Sequence, residues 1–175
     1  AEADGAPVLM IGTAFAFVHA IDGLDARGAS VRLAAGSRAM ETGGFKGRSR
    51  EVPRHDLYAG IDRCTGVPAH RVVNEYGMTE LLSQFYEPTL REPAGRRRQV
   101  PPPWMRTRIL SPEDLTPVAE GEAGLLQHFD LANVGSVSAV LTEDMGRAVE
   151  DGFEVLGRSP GAEPRGCSLA MEELL

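Results

Sequence analysis

The stretch Pro7–Thr13 (PVLMIGT) begins the pattern that decides the fold class. An apolar run of strand length, without polar interruptions, is typical of a strand covered on both faces. Ala14–Ala26 then places apolar side chains at three- and four-residue spacing, which predicts a helix that ends near Gly28. Ser30–Ala35 (SVRLAA) predicts a second short strand. Strand, helix and strand in this order indicate a parallel βαβ unit.

The next part of the chain continues this pattern. Glu41–Arg48 (ETGGFKGR) is too rich in glycine for a regular element and is predicted to be a loop. Pro53 opens a predicted helix that runs to about Arg63. Arg71–Asn74 (RVVN) predicts a third strand. We therefore predict an α/β half over residues 1–88.

The second half of the chain has a different character. Residues 89–103 are rich in proline and arginine and are predicted to connect two parts. Beyond them, residues 104–175 carry four further strand patterns, at Met105–Leu110, Gly124–Asp130, Ser136–Leu141 and Gly152–Leu156. The predicted fold class is α/β: the end of a parallel sheet with flanking helices, followed by a β-rich subdomain.

Composition narrows the class of protein. The chain is 42% apolar and 25% charged, which is typical of a globular protein. No apolar stretch approaches the ~20 residues of a membrane span, so we expect none. The net charge of -7 argues against nucleic acid as the main partner. Two cysteines are too few for a disulfide framework and favour a reducing, cytoplasmic location.

The segment Asn74–Glu80 (NEYGMTE) carries the most specific chemistry. It follows a predicted parallel strand, where open α/β sheets bind their ligands. Tyr76 supplies a flat aromatic ring, and Gly77 permits close approach of the backbone. Thr79 offers a hydroxyl to a phosphate, and Glu80 offers the hard oxygen that Mg²⁺ prefers. The alternative is a turn capped by Thr79 and Glu80.

NEYGMTE resembles the Y-G-x-T-E motif of adenylate-forming enzymes, which activate carboxylic acids with ATP. Gly43-Gly44 resembles the glycine pair that, in that superfamily, lies against the adenine and the acyl pocket. The resemblance implies that Tyr76 stacks on adenine, that Thr79 contacts the phosphate and that Glu80 binds magnesium.

Two further stretches follow in the order of that superfamily. Leu141–Asp144 (LTED) resembles the strand-end T-G-D whose aspartate holds the ribose hydroxyls, although Glu143 replaces the usual glycine. Gly157-Arg158 resembles the G-R pair where the large domain meets the C-terminal one. The resemblance therefore assigns Asp144 to the ribose and Arg158 to the ribose or the adenylate phosphate.

Within the superfamily, the chain is most similar to acyl-protein synthetases of the LuxE type. The stretches that carry this resemblance are Met40–Glu51, His128–Gly146 and Leu156–Leu169. The resemblance implies that ATP and Mg²⁺ convert a fatty or other carboxylic acid to an acyl-adenylate. The acyl group then passes to a cysteine near the C-terminus and on to a partner, an acyl-accepting reductase or carrier protein.

Two residues are candidates for the remaining chemistry. Cys167 fits the acyl acceptor, and Arg165 beside it would lower the pKa of the thiol. The alternative for Cys167 is a small buried hydrophobe.

Lys46 is the one lysine among 18 basic residues and could neutralise phosphate charge during adenylation. Arg48 and Arg158 are alternatives for that task, and coding bias is the alternative reason for the single lysine.

Other functions remain open from the sequence. An acid–CoA ligase of the phenylacetate type shares the same motifs, and a non-catalytic module that binds a nucleotide or a partner is a different class. The Ser/Thr/Gly-rich phosphate loop of adenylate-forming enzymes has no match here. We therefore expect this chain to be the C-terminal half of a longer enzyme and to be inactive alone. His128 and Asp130 alternate on a predicted strand and therefore face one way, where they could form a polar pair near the nucleotide.

Overall fold

The computed structural model describes residues 5–43 and 52–162. These residues divide into two units. Unit 1 comprises the described residues up to Tyr76 together with 86–97, and unit 2 comprises 77–85 and the described residues from 98 onward. The α/β prediction is confirmed, because parallel strands with helices lie in unit 1 and an antiparallel sheet lies in unit 2.

Unit 1 is built on a parallel sheet. Its elements in chain order are β1 (Leu9–Thr13), α1 (Ala14–Asp25), β2 (Arg38–Thr42), α2 (Arg54–Thr65), a 3₁₀ helix (Ala69–Arg71) and β3 (Val72–Tyr76). The strands β1, β2 and β3 are parallel neighbours, and the short strand β4 (Phe85–Tyr86) is fourth in the order of the sheet. The Thr13 hydroxyl caps α1 by accepting the Ala16 N–H at 3.1 Å.

The core of unit 1 lies between the helices and the sheet. Buried side chains of α1 and α2 pack on the apolar residues of β2 and β3. The members of this cluster include Phe17, Val18, Ala39, Leu57, Ile61 and Val72. Gly60 allows the two helices to approach closely, because a Cβ there would lie 2.9 Å from the Ile21 Cδ1 atom.

The predicted strand at Ser30–Ala35 is wrong, since this segment has no regular secondary structure. Its backbone instead runs past the end of α2, where the Val31 and Leu33 N–H groups donate to the carbonyls of Cys64 and Thr65 at 2.8 and 3.0 Å. Those carbonyls belong to the last turn of a helix and lack partners within it. The strand of the βαβ unit is β2, which includes the residues Glu41 and Thr42 that were predicted to be in a loop.

Unit 2 is built on an antiparallel sheet in the order β5-β6-β7-β8. The strands are β5 (Met105–Leu110), β6 (Ala123–Asp130), β7 (Ala139–Val149) and β8 (Gly152–Arg158). In β6 the burial alternates along the strand, as expected for a sheet with one covered face. Phe85, Met105, Leu126 and Phe153 are among its buried side chains.

The structure corrects the extent of β7. The sequence predicts a strand that ends at Leu141, with Leu141–Asp144 at its end, whereas β7 continues to Val149. Asp144 is therefore an interior residue of a long strand, paired in register with Arg158 of β8. The pairing shifts by one residue between Met145 and Gly146. Gly146 tolerates the local crowding, because a Cβ there would lie 2.5 Å from Leu126 Cδ2.

The helices in the described part of the chain are too short or too polar to cross a membrane.

Candidate functional site

The carboxyl ends of β2 and β3 place two of the predicted site residues on unit 1. Gly43 directly follows β2, and Tyr76 is the last residue of β3. Thr42 and Glu75 are register partners, and the Thr42 hydroxyl donates to the Glu75 carboxylate. Gly43 has a φ of +70°, a backbone conformation that glycine adopts at little cost. Gly43 and Tyr76 thus stand at the ends of neighbouring parallel strands, where α/β sheets bind ligands.

A buried polar network lies immediately beneath these strand ends. Glu41 is 2% exposed, and its Oε1 atom accepts the Tyr58 hydroxyl at 2.9 Å and the Asn74 Nδ2 at 2.8 Å. Burial raises the pKa of Glu41 above its ordinary value, although both hydrogen bonds oppose this effect. Burial also raises the pKa of Tyr58, with the nearby Glu41 charge as the next cause. The network joins α2, β2 and β3 with polar contacts across the interior of unit 1.

A second buried carboxylate supports β3 from the other side. Glu87 accepts Arg54 Nη1 at 3.0 Å and the backbone N–H of Asn74 at 3.2 Å, and it also pairs with Arg97. The Arg97 guanidinium lies over the Tyr58 ring, 4.5 Å from its centroid. Two arginines thus compensate a carboxylate that is almost fully buried.

Thr79 and Glu80 lie at the surface of unit 2. Both residues are exposed, and the Thr79 Oγ1 lies 3.2 Å from the Glu80 Oε2 atom. The Glu80 backbone carbonyl accepts the Asn133 side-chain amide at 2.9 Å. The same amide group donates to the Val137 carbonyl, so Asn133 joins the Glu80 backbone to the loop between β6 and β7.

Asp130 anchors the chain that follows the NEYGMTE motif. Its side chain is fully buried and accepts the backbone N–H groups of Leu82 and Ser83 at 3.0 and 2.8 Å. It also accepts the Ser83 hydroxyl at 3.1 Å. Neither this role of Asp130 nor the role of Asn133 follows from the sequence patterns described above. One signal for the role of Asp130 was present in the sequence: an aspartate at a buried position of a predicted strand. A buried carboxylate requires several hydrogen-bond donors around it.

Asp144 and Arg158 are brought side by side in unit 2. Arg158 Nη1 lies 3.4 Å from Asp144 Oδ1, and Arg158 Nη2 donates to Glu143 Oε2 at 2.7 Å. The Thr142 hydroxyl accepts the Asp144 N–H at 3.1 Å and donates to the Leu126 carbonyl at 2.9 Å. Glu143, which replaces the glycine of T-G-D, is therefore a partner of Arg158. One arginine holds both carboxylates of this segment.

His128 is a structural residue of unit 2. It is fully buried, its Nδ1 lies 2.9 Å from the Thr107 hydroxyl, and its ring packs against Phe85 and Phe153 at 4.7 and 5.4 Å between centroids. Burial lowers its pKa to about 4, so the ring is neutral near pH 7. His128 and Asp130 face the same interior, as their alternation predicts, and each has its own partners there.

Several predicted site residues lie outside the described residues. They are Gly44, Lys46 and Cys167, together with Arg48. Their assignments stay predictions. Cys64, within the described part, is 1% exposed and lies at the end of α2, with its sulfur 3.8 Å from Asp25 Oδ1.

The carboxylates of the described residues bear on how a magnesium ion could be held. In the described part of the chain, no three His, Cys, Asp or Glu side chains group closely enough to hold a metal by themselves. Magnesium bound to nucleotide phosphates typically takes only one or two protein carboxylates. The exposed carboxylate of Glu80 fits that mode.

Solved structures identify the class of fold. A long-chain-fatty-acid-CoA ligase from Archaeoglobus fulgidus matches with a TM-score of 0.61 at 17% identity, covering 86% of this chain and 34% of the ligase. ATP-bound MatB from Rhodopseudomonas palustris matches with a TM-score of 0.59 at 17% identity, covering 86% and 31%. The chain thus has the fold of part of the large domain of adenylate-forming enzymes.

The sequence comparisons identify the family. The model of "Acyl-protein synthetase, LuxE" matches residues 1–175, and the chain belongs to this family. The long-chain-fatty-acid–luciferin-component ligase of Aliivibrio fischeri is 30% identical over 115 residues, 61% of this chain and 29% of the ligase. The ligase of the same name from Vibrio harveyi is 26% identical over 110 residues, 59% and 28%. The matched segment spans less than a third of the length of these relatives.

Proposed function

We propose that the protein carrying this chain activates a fatty or other carboxylic acid with ATP and transfers the acyl group to a protein thiol. A carboxylate oxygen of the acid attacks the α-phosphorus of ATP, the bond to the β-phosphate oxygen breaks, and pyrophosphate leaves. A thiolate then attacks the carbonyl carbon of the acyl-adenylate, AMP leaves, and a thioester forms. The thiol proton passes to solvent. Membership in the LuxE family supports this reaction class.

The observation that carries the proposal is the pairing of Asp144 with Arg158. These residues come from two separate motifs, and the β7–β8 register sets them opposite each other. A carboxylate accepts two hydroxyl donors at once, which suits the ribose diol. Arg158, whose second nitrogen donates to Glu143, would orient the Asp144 carboxylate and would also contact the adenylate phosphate.

The strand ends of unit 1 supply the proposed adenine contact. Tyr76 is half-buried at the end of β3, and its ring would stack on the base. Gly43, with Gly44 after it, lets the backbone approach the nucleotide closely, because neither residue carries a side chain.

The proposed phosphate and metal contacts come from exposed groups. Thr79 would donate its hydroxyl to a phosphate oxygen, and Glu80 would hold magnesium, which neutralises phosphate charge when bound. The Asn133 contact to the Glu80 carbonyl restricts the backbone that carries this carboxylate. Lys46 would add a compact positive charge during adenylation.

Cys167 is the proposed acyl acceptor. From that cysteine the acyl group would pass to an acyl-accepting reductase or carrier protein in the cytoplasm. A basic neighbour, Arg165, favours the thiolate that performs the attack.

Labelled fatty acid tests this assignment. The intact protein that carries this chain is incubated with the acid, ATP and Mg²⁺. Cys167→Ser should still exchange pyrophosphate into ATP, which reports the adenylate, but should retain no hydroxylamine-sensitive label. Cys64→Ala is the matched control and should keep the label, since Cys64 is buried in unit 1. Full labelling of Cys167→Ser would remove Cys167 from the mechanism.

The same reaction separates the alternatives. Release of labelled acyl-CoA after addition of coenzyme A, with no labelled protein, would favour an acid–CoA ligase. Calorimetric binding of ATP without any pyrophosphate exchange would favour a non-catalytic binding module.

A further inference from the structure

A cavity of unit 1 lies at the end of its sheet opposite Gly43 and Tyr76. The cavity has a volume of about 330 Å³. Its lining residues are Gly36, Arg38, His70, Arg71, Leu90 and Pro93. Two of these residues are arginines, one is a histidine and none is acidic, in a chain whose net charge is -7. The cavity is therefore a locally positive site on an acidic protein.

The position of the cavity separates it from the proposed nucleotide contacts. Arg38 is the first residue of β2, and Arg71 directly precedes β3. Gly43 and Tyr76 lie at the other ends of the same two strands. Gly43 lies five positions after Arg38, which corresponds to about 16 Å along a strand. One small ligand cannot occupy both ends.

Two arginines line this cavity. Arg38 is the first residue of β2, Arg71 is the last residue of the 3₁₀ helix before β3, and both line this cavity. Among the described residues, neither guanidinium has an ion pair or a side-chain hydrogen bond. An anion that enters the cavity would interact favourably with both guanidinium groups.

Several other arginines of the described chain have carboxylate partners. The pairs include Arg54 with Glu87, Arg63 with Asp25, Arg97 with Glu87, Arg98 with Asp151 and Arg147 with Glu154. Among the described residues, no carboxylate lines the cavity that contains Arg38 and Arg71. The pattern favours an anion that comes from solution.

We propose that the cavity binds the phosphate group of a small phosphate monoester. Guanidinium groups match phosphate oxygens with paired N–H donors, and the imidazole of His70 adds a further donor or acceptor. A volume of about 330 Å³ is near the lower end of small-molecule sites, about 300–1,000 Å³, and exceeds what a bare phosphate needs. Leu90 and Pro93 form an apolar wall against which the organic part of the ester packs. This site does not depend on the proposed acyl transfer.

Calorimetric titration of the 175-residue chain tests the proposal. The probes are inorganic phosphate and glycerol 3-phosphate, at 50 mM and 300 mM salt. Arg38→Gln and Arg71→Gln should each weaken glycerol 3-phosphate binding by about tenfold or more, and higher salt should weaken binding to the parent chain. Arg27→Gln is the charge-matched control in the same unit and should change the affinity by less than twofold. Its guanidinium donates to the Gly23 carbonyl on α1.

Three outcomes would overturn the assignment. The first is unchanged glycerol 3-phosphate binding in Arg38→Gln and Arg71→Gln, with circular dichroism showing that both variants are folded. The second is inorganic phosphate binding as tightly as the ester, which would contradict a site for a monoester. The third is displacement of glycerol 3-phosphate by AMP in proportion to AMP binding, which would assign the phosphate to the nucleotide contacts.

Discussion

Replacement of Tyr58 by phenylalanine isolates one hydrogen bond of the buried network in unit 1. The Tyr58 side chain is 4% exposed and its hydroxyl donates to Glu41 Oε1 at 2.9 Å. Phenylalanine keeps the ring, its packing and the Arg97 guanidinium 4.5 Å above it. The variant therefore loses the hydroxyl group and little else. Glu41 keeps the Asn74 amide as its remaining side-chain donor.

The expected loss of stability follows from the burial of the acceptor, which loses one of its donors. Leaving a buried acceptor without a donor costs about 1–3 kcal/mol. In a chain of this size each kcal/mol lowers Tm by about 2–4 °C, so Tyr58→Phe should melt roughly 2–12 °C lower. Amide exchange in α2 and β2 should accelerate by about five- to hundredfold, since about 1.4 kcal/mol corresponds to a factor of ten.

Tyr86 provides the matched control in the same unit. Its side chain is 43% exposed, and Tyr86→Phe should change the free energy of unfolding by less than about 0.5 kcal/mol. Amide hydrogen exchange at pH 7 measures both variants at the level of single elements. If Tyr58→Phe exchanges at the rate of Tyr86→Phe throughout α2 and β2, the buried network does not stabilise unit 1 and the reasoning fails.

Two further substitutions test the electrostatics and the packing. Because burial raises the pKa of Glu41 from 4.5, the stability that this group contributes is complete below pH 4.5 and is lost as the pH rises through the raised value. Glu41→Gln should therefore flatten the pH dependence of Tm above pH 4.5, and an unchanged slope would contradict the raised pKa. Gly152→Ala would place a Cβ 2.2 Å from the Gln99 carbonyl oxygen and should cost about 1–3 kcal/mol, measured by urea unfolding with Trp104 fluorescence. Gly135→Ala meets nothing within 4 Å and should be neutral, and equal losses in both variants would refute the crowding explanation.

Local patterns in the sequence predicted many of the elements. The apolar run at Pro7–Thr13 and the helical spacing after it gave β1 and α1 nearly to the residue, since periodicity reflects which face is buried. The strand at Met105–Leu110 matches its prediction at both ends. The predicted strand at Ser30–Ala35 is wrong because the N–H groups of Val31 and Leu33 donate to carbonyls at the end of α2 and not to a neighbouring strand. The periodicity of apolar residues does not reveal which backbone partner a segment uses.

For the candidate site, the sequence determined the motifs and their order, and these were sufficient to identify the family. The tertiary structure decided which side chains meet. Asp144 meets Arg158 through the register of a β-hairpin, and Glu41 meets Tyr58 and Asn74 through the packing of a helix on two strands. The physical reason is that residue type and spacing constrain each element locally, whereas contacts between distant residues depend on how the elements pack. The positive cavity at Arg38 and Arg71 likewise arises only when β2 and β3 lie side by side.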